Sequence, residues 1–173
     1  MDTKEFSVIK RDKTKEILSY NKIYNRTKTL GDIYNINIEY SALVTKIIDL
    51  LYNNIETSKI DELMAQQCAS MASIHLDYSR LSALISISNH NKETKKPFKD
   101  TVNILKQKKG YLSDEYIYFA NKYSDIYEKI IDYTRNYLID YFGYKTLERA
   151  YLMKYNSIIV ENIQHMWMRV SIQ

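Results

Sequence analysis

The chain has 173 residues and a mass of 20.6 kDa, enough for one sizeable domain or two small ones. Three glycines and one proline leave few tight turns, which argues against a many-stranded β-sandwich or barrel and favours long helices with short connections. The formal net charge of +4 is too small to indicate nucleic acid as a partner, and a single cysteine permits no internal disulfide.

Targeting signals are also missing from the sequence. The N-terminus lacks the apolar core of a signal peptide, and no stretch approaches the roughly 18 consecutive apolar residues that indicate a membrane span. We therefore expect a soluble, reduced, cytoplasmic protein. The 17 tyrosines are interpreted as a feature of composition, because a phenol packs its ring on an amphipathic face and leaves its hydroxyl in water.

The first segment is predicted to be a β-hairpin. Residues 6–11 carry β-branched and aromatic side chains, and Asp12 with Lys13 forms a candidate two-residue turn. Residues 14–17 are predicted to return as the second strand. Helical spacing follows directly, and Gly31 is predicted to end this first helix.

The next two helices are predicted from apolar stripes. Ser58 and Asp61 have the spacing of a capping box ahead of the second stripe. Cys68 lies on that stripe, so it is predicted to be a core residue with an inert thiol rather than a redox or metal site. A further helix is predicted over residues 78–90. The stripes comprise Leu43, Val44, Ile47, Ile48 and Leu51, then Ile60, Met64, Cys68, Met71 and His75.

The sharpest break in the chain is the charged run that ends at Pro97, the only proline. We predict a domain boundary after residue 96. Gly143 is predicted to close a long helix of the second half. The elements predicted beyond the break are helices over 98–108, 123–141 and 145–154 and a short hairpin over 155–160.

Enzymatic chemistry is not indicated by spacing. The three glycines are too scattered for a phosphate-binding loop, and the three histidines do not have the spacing of metal ligands. We therefore predict no catalytic residue and no metal ligand. Charge does gather near the predicted hairpin and the helix start at Thr57, which offers free N–H groups to a phosphate. Two interpretations of these charged residues remain: a site that binds polyphosphate, or a charged surface that is simply solvated.

Several motifs resemble the ATP-cone, the regulatory nucleotide-binding module of ribonucleotide reductases. Its opening motif is matched by residues 8–12, followed by Glu16 and Lys22. Residues 77–81 and 88–96 are similar to the end of that module in the class I large subunit.

A further match lies in the second half of the chain. Residues 141–152 and 164–170 resemble the segment that leads into the catalytic barrel of the same subunit. The motifs occur in the order and at the spacing of the family. The chain is therefore identified as similar to the N-terminal part of the class I ribonucleotide reductase large subunit.

The resemblance implies a mainly α fold. Residues 1–96 are expected to form a helical ATP-cone with a short N-terminal β-hairpin cap, and residues 97–173 a truncated helical segment leading towards an α/β barrel. Lys13 stands where the family has a turn glycine. ATP or dATP, with magnesium, is expected to bind as an allosteric effector through Lys10, Arg11, Glu16, Lys22, Thr57, Asp61 and Lys92.

Individual roles also follow from the resemblance. Lys10 and Lys92 are expected to meet phosphates as point charges, whereas Arg11 can bind them in a bidentate manner. Asp61 is expected to line the site and could also cap its helix.

The family places its redox and radical cysteines and its specificity site in the barrel, beyond the matched segments. We therefore expect a non-catalytic fragment of a ribonucleoside-diphosphate reductase large subunit that carries the ATP/dATP site. Its expected partners are the remainder of the large subunit or another large subunit, and the small radical-generating subunit, with no nucleic acid and no membrane. The alternatives are a stand-alone regulatory protein that binds adenine nucleotide or reductase subunits, and a remnant that binds nothing.

Overall fold

The computed structural model of this protein describes residues 6–173, which divide into two compact units. Unit 1 ends at Asn89 and unit 2 begins at His90. Helices dominate, with one small sheet near the N-terminus, so the predicted fold class is confirmed. Within residues 6–173 no helix is long and apolar enough to cross a membrane.

The sheet of unit 1 has three short strands in the order β2-β1-β3. The strands are β1 (Ser7–Ile9), β2 (Lys15–Ile17) and β3 (Ile55–Glu56). The first two form the predicted hairpin, while β3 joins β1 in parallel through the pairs Val8–Ile55 and Ile9–Glu56. A strand of two residues has no periodicity of its own, which is why the sequence did not reveal β3.

The hairpin turn has three residues, so the predicted two-residue turn is wrong. The backbone N–H of Lys13 donates to the carbonyl of Lys10 at 2.9 Å, and the N–H of Lys10 donates to the carbonyl of Thr14 at 2.9 Å. Lys13 has a φ of 66°, the left-handed conformation that closes a three-residue hairpin loop. A lysine in this left-handed conformation lowers the stability of the fold by roughly 1–2 kcal/mol relative to a glycine.

Four helices complete unit 1, and α4 continues into unit 2. Both predicted apolar stripes are buried, apart from the half-buried Ile48 and the exposed His75, which lies beyond the end of its helix. Cys68 is fully buried, and burial raises the pKa of its thiol to about 12. The helices are α1 (Tyr20–Ile33), α2 (Tyr40–Ile48), α3 (Thr57–Ser70) and α4 (Leu76–Glu93).

The start of α3 differs from the predicted capping box. Glu56, the last residue of β3, occupies the N-cap position and makes no side-chain capping bond. Helix α3 therefore begins at Thr57, with Ser58 already inside its first turn. Asp61 lies further along the helix and forms salt bridges instead of a cap.

Two helices predicted for unit 2, over 98–108 and 123–141, are shorter in the structure, whereas the hairpin over 155–160 is confirmed. The helix predicted over 145–154 instead covers Tyr141–Ala150, and the helices Asp114–Lys122 and Ile163–Ile172 were not predicted. The helix predicted over 123–141 is broken at Ile131 and Asp132. Gly143 does not end a helix but lies in the first turn of the next one, where Asp140 Oδ1 accepts its N–H at 2.6 Å. The elements are α5 (Phe98–Lys106), α6 (Asp114–Lys122), α7 (Ser124–Ile130), a 3₁₀ helix (Tyr133–Leu138), α8 (Tyr141–Ala150), β4 (Lys154–Tyr155), β5 (Ile158–Ile159) and α9 (Ile163–Ile172).

Gly31 does not end α1, which continues to Ile33. The absence of a side chain at Gly31 instead makes room for the ring of Tyr40. A Cβ at Gly31 would lie 1.9 Å from the Tyr40 hydroxyl oxygen. That hydroxyl donates to the carbonyl of Ile36 at 2.8 Å, which holds the ring in place. The α1–α2 packing thus requires a glycine.

We expect Gly31→Ala to lower the free energy of unfolding by about 1–3 kcal/mol, the usual cost of overpacking a well-filled core. The measurement is urea unfolding followed by circular dichroism. In a Tyr40→Leu background the same change should become neutral or stabilise by about 0.5–1 kcal/mol, because alanine favours a helix over glycine. A stabilising effect in the wild-type background would contradict the close packing.

Candidate functional site

Unit 1 contains a cavity of about 170 Å³ between its sheet and its helices α1, α3 and α4. Part of its lining is apolar and includes Ile23, Ile60, Met64 and Ile85. The remaining lining is rich in charge. Five of the residues expected from the resemblance line this cavity, namely Lys10, Glu16, Lys22, Thr57 and Asp61.

Glu16 joins two of the predicted cations at the cavity. Its two carboxylate oxygens accept separately from the ammonium groups of Lys10 and Lys22. Strand β2 positions Glu16, the end of β1 positions Lys10, and the first turn of α1 positions Lys22. The hydrogen bond from Lys10, followed by that from Lys22, lowers the pKa of the Glu16 carboxyl below its ordinary value of 4.5. The same carboxylate raises the pKa of Lys10.

Asp61 makes a second bridge, in this case between two arginines. Arg11 Nη2 lies 3.5 Å from Asp61 Oδ2, and Arg26 Nη1 contacts Asp61 Oδ1. The Asp61 side chain is only 7% exposed. Four cations and two carboxylates therefore meet at this cavity, which gives the cluster a formal charge of +2.

Arg11 is held by a second contact, so its guanidinium is fixed beside the cavity rather than in its lining. It donates to Asn89 Oδ1, and Asn89 Nδ2 in turn donates to the carbonyl of Ser58 at 3.3 Å. The hairpin turn is thereby tied to α3 and to α4. Such tethering keeps the arginine oriented before any ligand arrives.

Thr57 contributes through its place in the chain. It is the first residue of α3, a helix of 14 residues, and it lines the cavity. The first N–H groups of a helix have no partner within the helix and carry its positive dipole end, so they favour an anion. The cavity thus adds a helix N-terminus to its cationic side chains.

Sequence reasoning missed two residues of this cluster, Arg26 and Asn89. Arg26 follows Lys22 by four residues, so both fall on one face of α1, and this spacing was an available signal. Arg26 Nη2 is buried and finds no hydrogen-bond acceptor among the described residues. A buried donor without a partner costs on the order of 1–3 kcal/mol.

Lys92 is the one expected site residue that lies in unit 2. It occupies the last turn of α4 and is exposed. The other six lie in unit 1: Lys10, Glu16 and Lys22 form one group of ion pairs, Arg11 and Asp61 form another, and Thr57 lines the same cavity. The expected contact of Lys92 with phosphate stays a prediction.

A cationic cavity beside a helix N-terminus is chemically suited to an anion, and it lies in a unit of mixed helix and sheet. No family model matches the chain. The chain does match curated relatives. It is 39% identical over 176 residues to the ribonucleoside-diphosphate reductase large subunit of Variola virus. It is also 38% identical over 177 residues to the subunit of that name in Dictyostelium discoideum and 38% over 176 residues in Caenorhabditis elegans.

These matches cover 95% of this chain but only 20–23% of the relatives, in their N-terminal part. The resemblance drawn from the motifs is thereby confirmed: the chain is a homologue of the ribonucleoside-diphosphate reductase large subunit over nearly all of its own length.

We expect Glu16→Gln to lower the melting temperature at pH 7 and to change it little at acidic pH. The folded-state pKa of Glu16 lies below 4.5, so its ion pairs stabilise the fold above that pH. This contribution is lost as pH falls through the lowered folded-state pKa. Thermal unfolding of both proteins without ligand from pH 7 to pH 3 measures the effect, and a difference that is constant with pH would contradict it.

Proposed function

We propose that this chain is the regulatory region of a ribonucleoside-diphosphate reductase large subunit and that its unit 1 cavity binds ATP or dATP as an allosteric effector. One observation carries the proposal: the cationic cluster and the N-terminus of α3 converge on a cavity whose lining also contains apolar side chains. A nucleotide likewise combines a polyanionic phosphate chain with the flat ring of its base.

The dimensions of the cavity fit part of a nucleotide. Sites that bury a drug-sized ligand hold roughly 300–1,000 Å³, more than the 170 Å³ here. The cavity would therefore enclose only part of the nucleotide. The ring would lie against the apolar side chains of the lining, and the phosphates would lie near the charged ones. The excess of two positive charges favours the polyanionic end.

Each cation would serve the phosphates differently. Lys10 and Lys22 end in mobile ammonium groups, and their side chains are 46% and 68% exposed, so they can leave Glu16 for a phosphate oxygen. Arg11 is held by Asp61 and Asn89, so it would offer a fixed planar donor set. The backbone N–H groups at Thr57 would bind a phosphate oxygen at the helix start.

Magnesium is expected to arrive with the nucleotide. The described residues contain no group of three or more histidine, cysteine or carboxylate side chains that could hold a metal ion. Asp61, the buried carboxylate of the cavity, already faces two arginines. The phosphate oxygens would therefore be the main ligands of the metal.

We further propose that nucleotide binding acts on assembly. The relatives are named as large subunits, and this chain spans less than a quarter of their length. The reduction of ribonucleotides, and the barrel that performs it, would belong to the remainder of such a subunit. An effector that binds one assembly state more tightly shifts the equilibrium towards that state. The partners would be the remainder of the large subunit, another large subunit and the small radical-generating subunit.

ATP or dATP with magnesium should raise the melting temperature of the chain. A ligand at 100 times its Kd stabilises the folded state by about 2.7 kcal/mol, since only that state binds it. Lys22→Gln should reduce the shift, because it removes a cation of the cavity. Lys28→Gln is the matched control on the same helix, since Lys28 pairs with Asp32 outside the cavity. No shift of the wild-type protein at millimolar nucleotide would refute the proposal.

Lys92→Glu should abolish the nucleotide-induced shift, since a carboxylate would replace an expected phosphate partner. Differential scanning fluorimetry with and without ATP measures the result. The control is Lys95→Glu, which makes the same change of charge at a neighbouring exposed lysine. A shift that survives in the Lys92 variant would show that this lysine holds no phosphate.

A further inference from the structure

Arg26 has donor capacity that the described residues do not use. A guanidinium carries five N–H donors in a fixed plane. Nη1 of Arg26 contacts Asp61, whereas Nη2 is buried and has no acceptor among residues 6–173. The side chain as a whole is 34% exposed and lines the unit 1 cavity. The unused donor therefore belongs to a residue of the cavity lining, and a small rotation of the guanidinium about its contact with Asp61 would bring Nη2 to a ligand.

The position of Arg26 relative to Arg11 indicates which end of a ligand it would meet. Both guanidinium groups contact the carboxylate of Asp61, Arg11 through Oδ2 and Arg26 through Oδ1. Two arginines that flank one carboxylate lie close enough to share one polyanion. A phosphate chain held by Arg11 would thus pass near Arg26.

We propose that Arg26 is a further phosphate-binding residue of this site, with Nη2 donating to an oxygen of the polyphosphate chain. The proposal rests on nucleotide binding in the unit 1 cavity. Nη1 would stay with Asp61, so the same guanidinium would keep α1 joined to α3 and bind the ligand. Fixed in this way, it would lose little conformational freedom on binding.

The alternative is a purely structural arginine that only joins α1 to α3 through Asp61. A lysine keeps the positive charge and can keep one contact with Asp61, but it has no second nitrogen in a fixed plane. Arg26→Lys therefore separates the two roles. A structural arginine predicts unchanged affinity, whereas a phosphate-binding arginine predicts weaker binding.

The test uses isothermal titration of the full chain with magnesium-ATP and, separately, with inorganic tripolyphosphate. Arg26→Lys should weaken both ligands by a similar factor, roughly ten- to hundredfold, as expected for the loss of a charge-assisted hydrogen bond. Arg26→Gln should weaken them at least as much. Arg80→Lys is the control, because Arg80 pairs with Asp77 in the same unit and lies outside the cavity.

Folding is monitored by circular dichroism and by the melting temperature without ligand, so that binding is compared only between folded proteins. Unchanged affinity of a folded Arg26→Lys or Arg26→Gln variant would overturn the role of Arg26 and leave nucleotide binding intact. Weaker binding of ATP with unchanged tripolyphosphate affinity would also overturn it, since Arg26 would then meet the nucleoside. A wild-type chain that binds neither ligand would refute both proposals.

Discussion

The buried carboxylate of Asp61 is the group on which the organisation of the unit 1 site depends. A carboxylate that is 7% exposed must be paired, because an unpaired charge in such a place is costly. Arg11 reaches it from the hairpin turn and Arg26 reaches it from α1. One charge therefore fixes three elements around the cavity and leaves two guanidinium groups beside it. Asp61 and its two arginines carry one of the two excess positive charges of the site, and Glu16 with Lys10 and Lys22 carries the other.

The ion pairs of the site are of two kinds, which differ in burial. This difference decides which pairs an arriving anion can break. Glu16 pairs with Lys10 and Lys22 where the lysines are substantially exposed, and such pairs contribute little to stability. An arriving anion can replace Glu16 at little cost. The pairs of Asp61 are more buried, so breaking them leaves a charge without a partner. The arginines thus form the fixed part of the site and the lysines its adjustable part.

Sequence patterns predicted the parts of the fold that depend on periodic burial. The stripe through Met64 and Cys68 was found because a helix repeats every 3.6 residues. The start of α3 at Thr57 was predicted, but the capping box of Ser58 and Asp61 was wrong, because Glu56 at the end of a two-residue strand takes the N-cap position. Gly31 was misinterpreted because its role depends on Tyr40, which approaches only in the folded chain. Charge spacing left a phosphate site and a solvated rim open, and the family motifs favoured the first. Neither identified Arg26, whose partner lies 35 residues away.

His165 in unit 2 is a buried polar side chain whose hydrogen-bonding atoms, unlike Nη2 of Arg26, all find partners. Burial lowers the pKa of His165 to about 4, so its ring is neutral near pH 7, with one donor and one acceptor. The Tyr133 hydroxyl lies 2.8 Å from Nε2 and donates to Glu128 Oε1 at 2.8 Å. The single proton of the Tyr133 hydroxyl is thus used in the bond to Glu128. Nε2 of His165 must therefore carry the ring proton and donate to the Tyr133 oxygen. Nδ1 then accepts from the Thr101 hydroxyl at 3.0 Å. Both nitrogens of His165 are satisfied within unit 2, whereas the cavity of unit 1 retains an arginine donor that the described residues leave for a ligand.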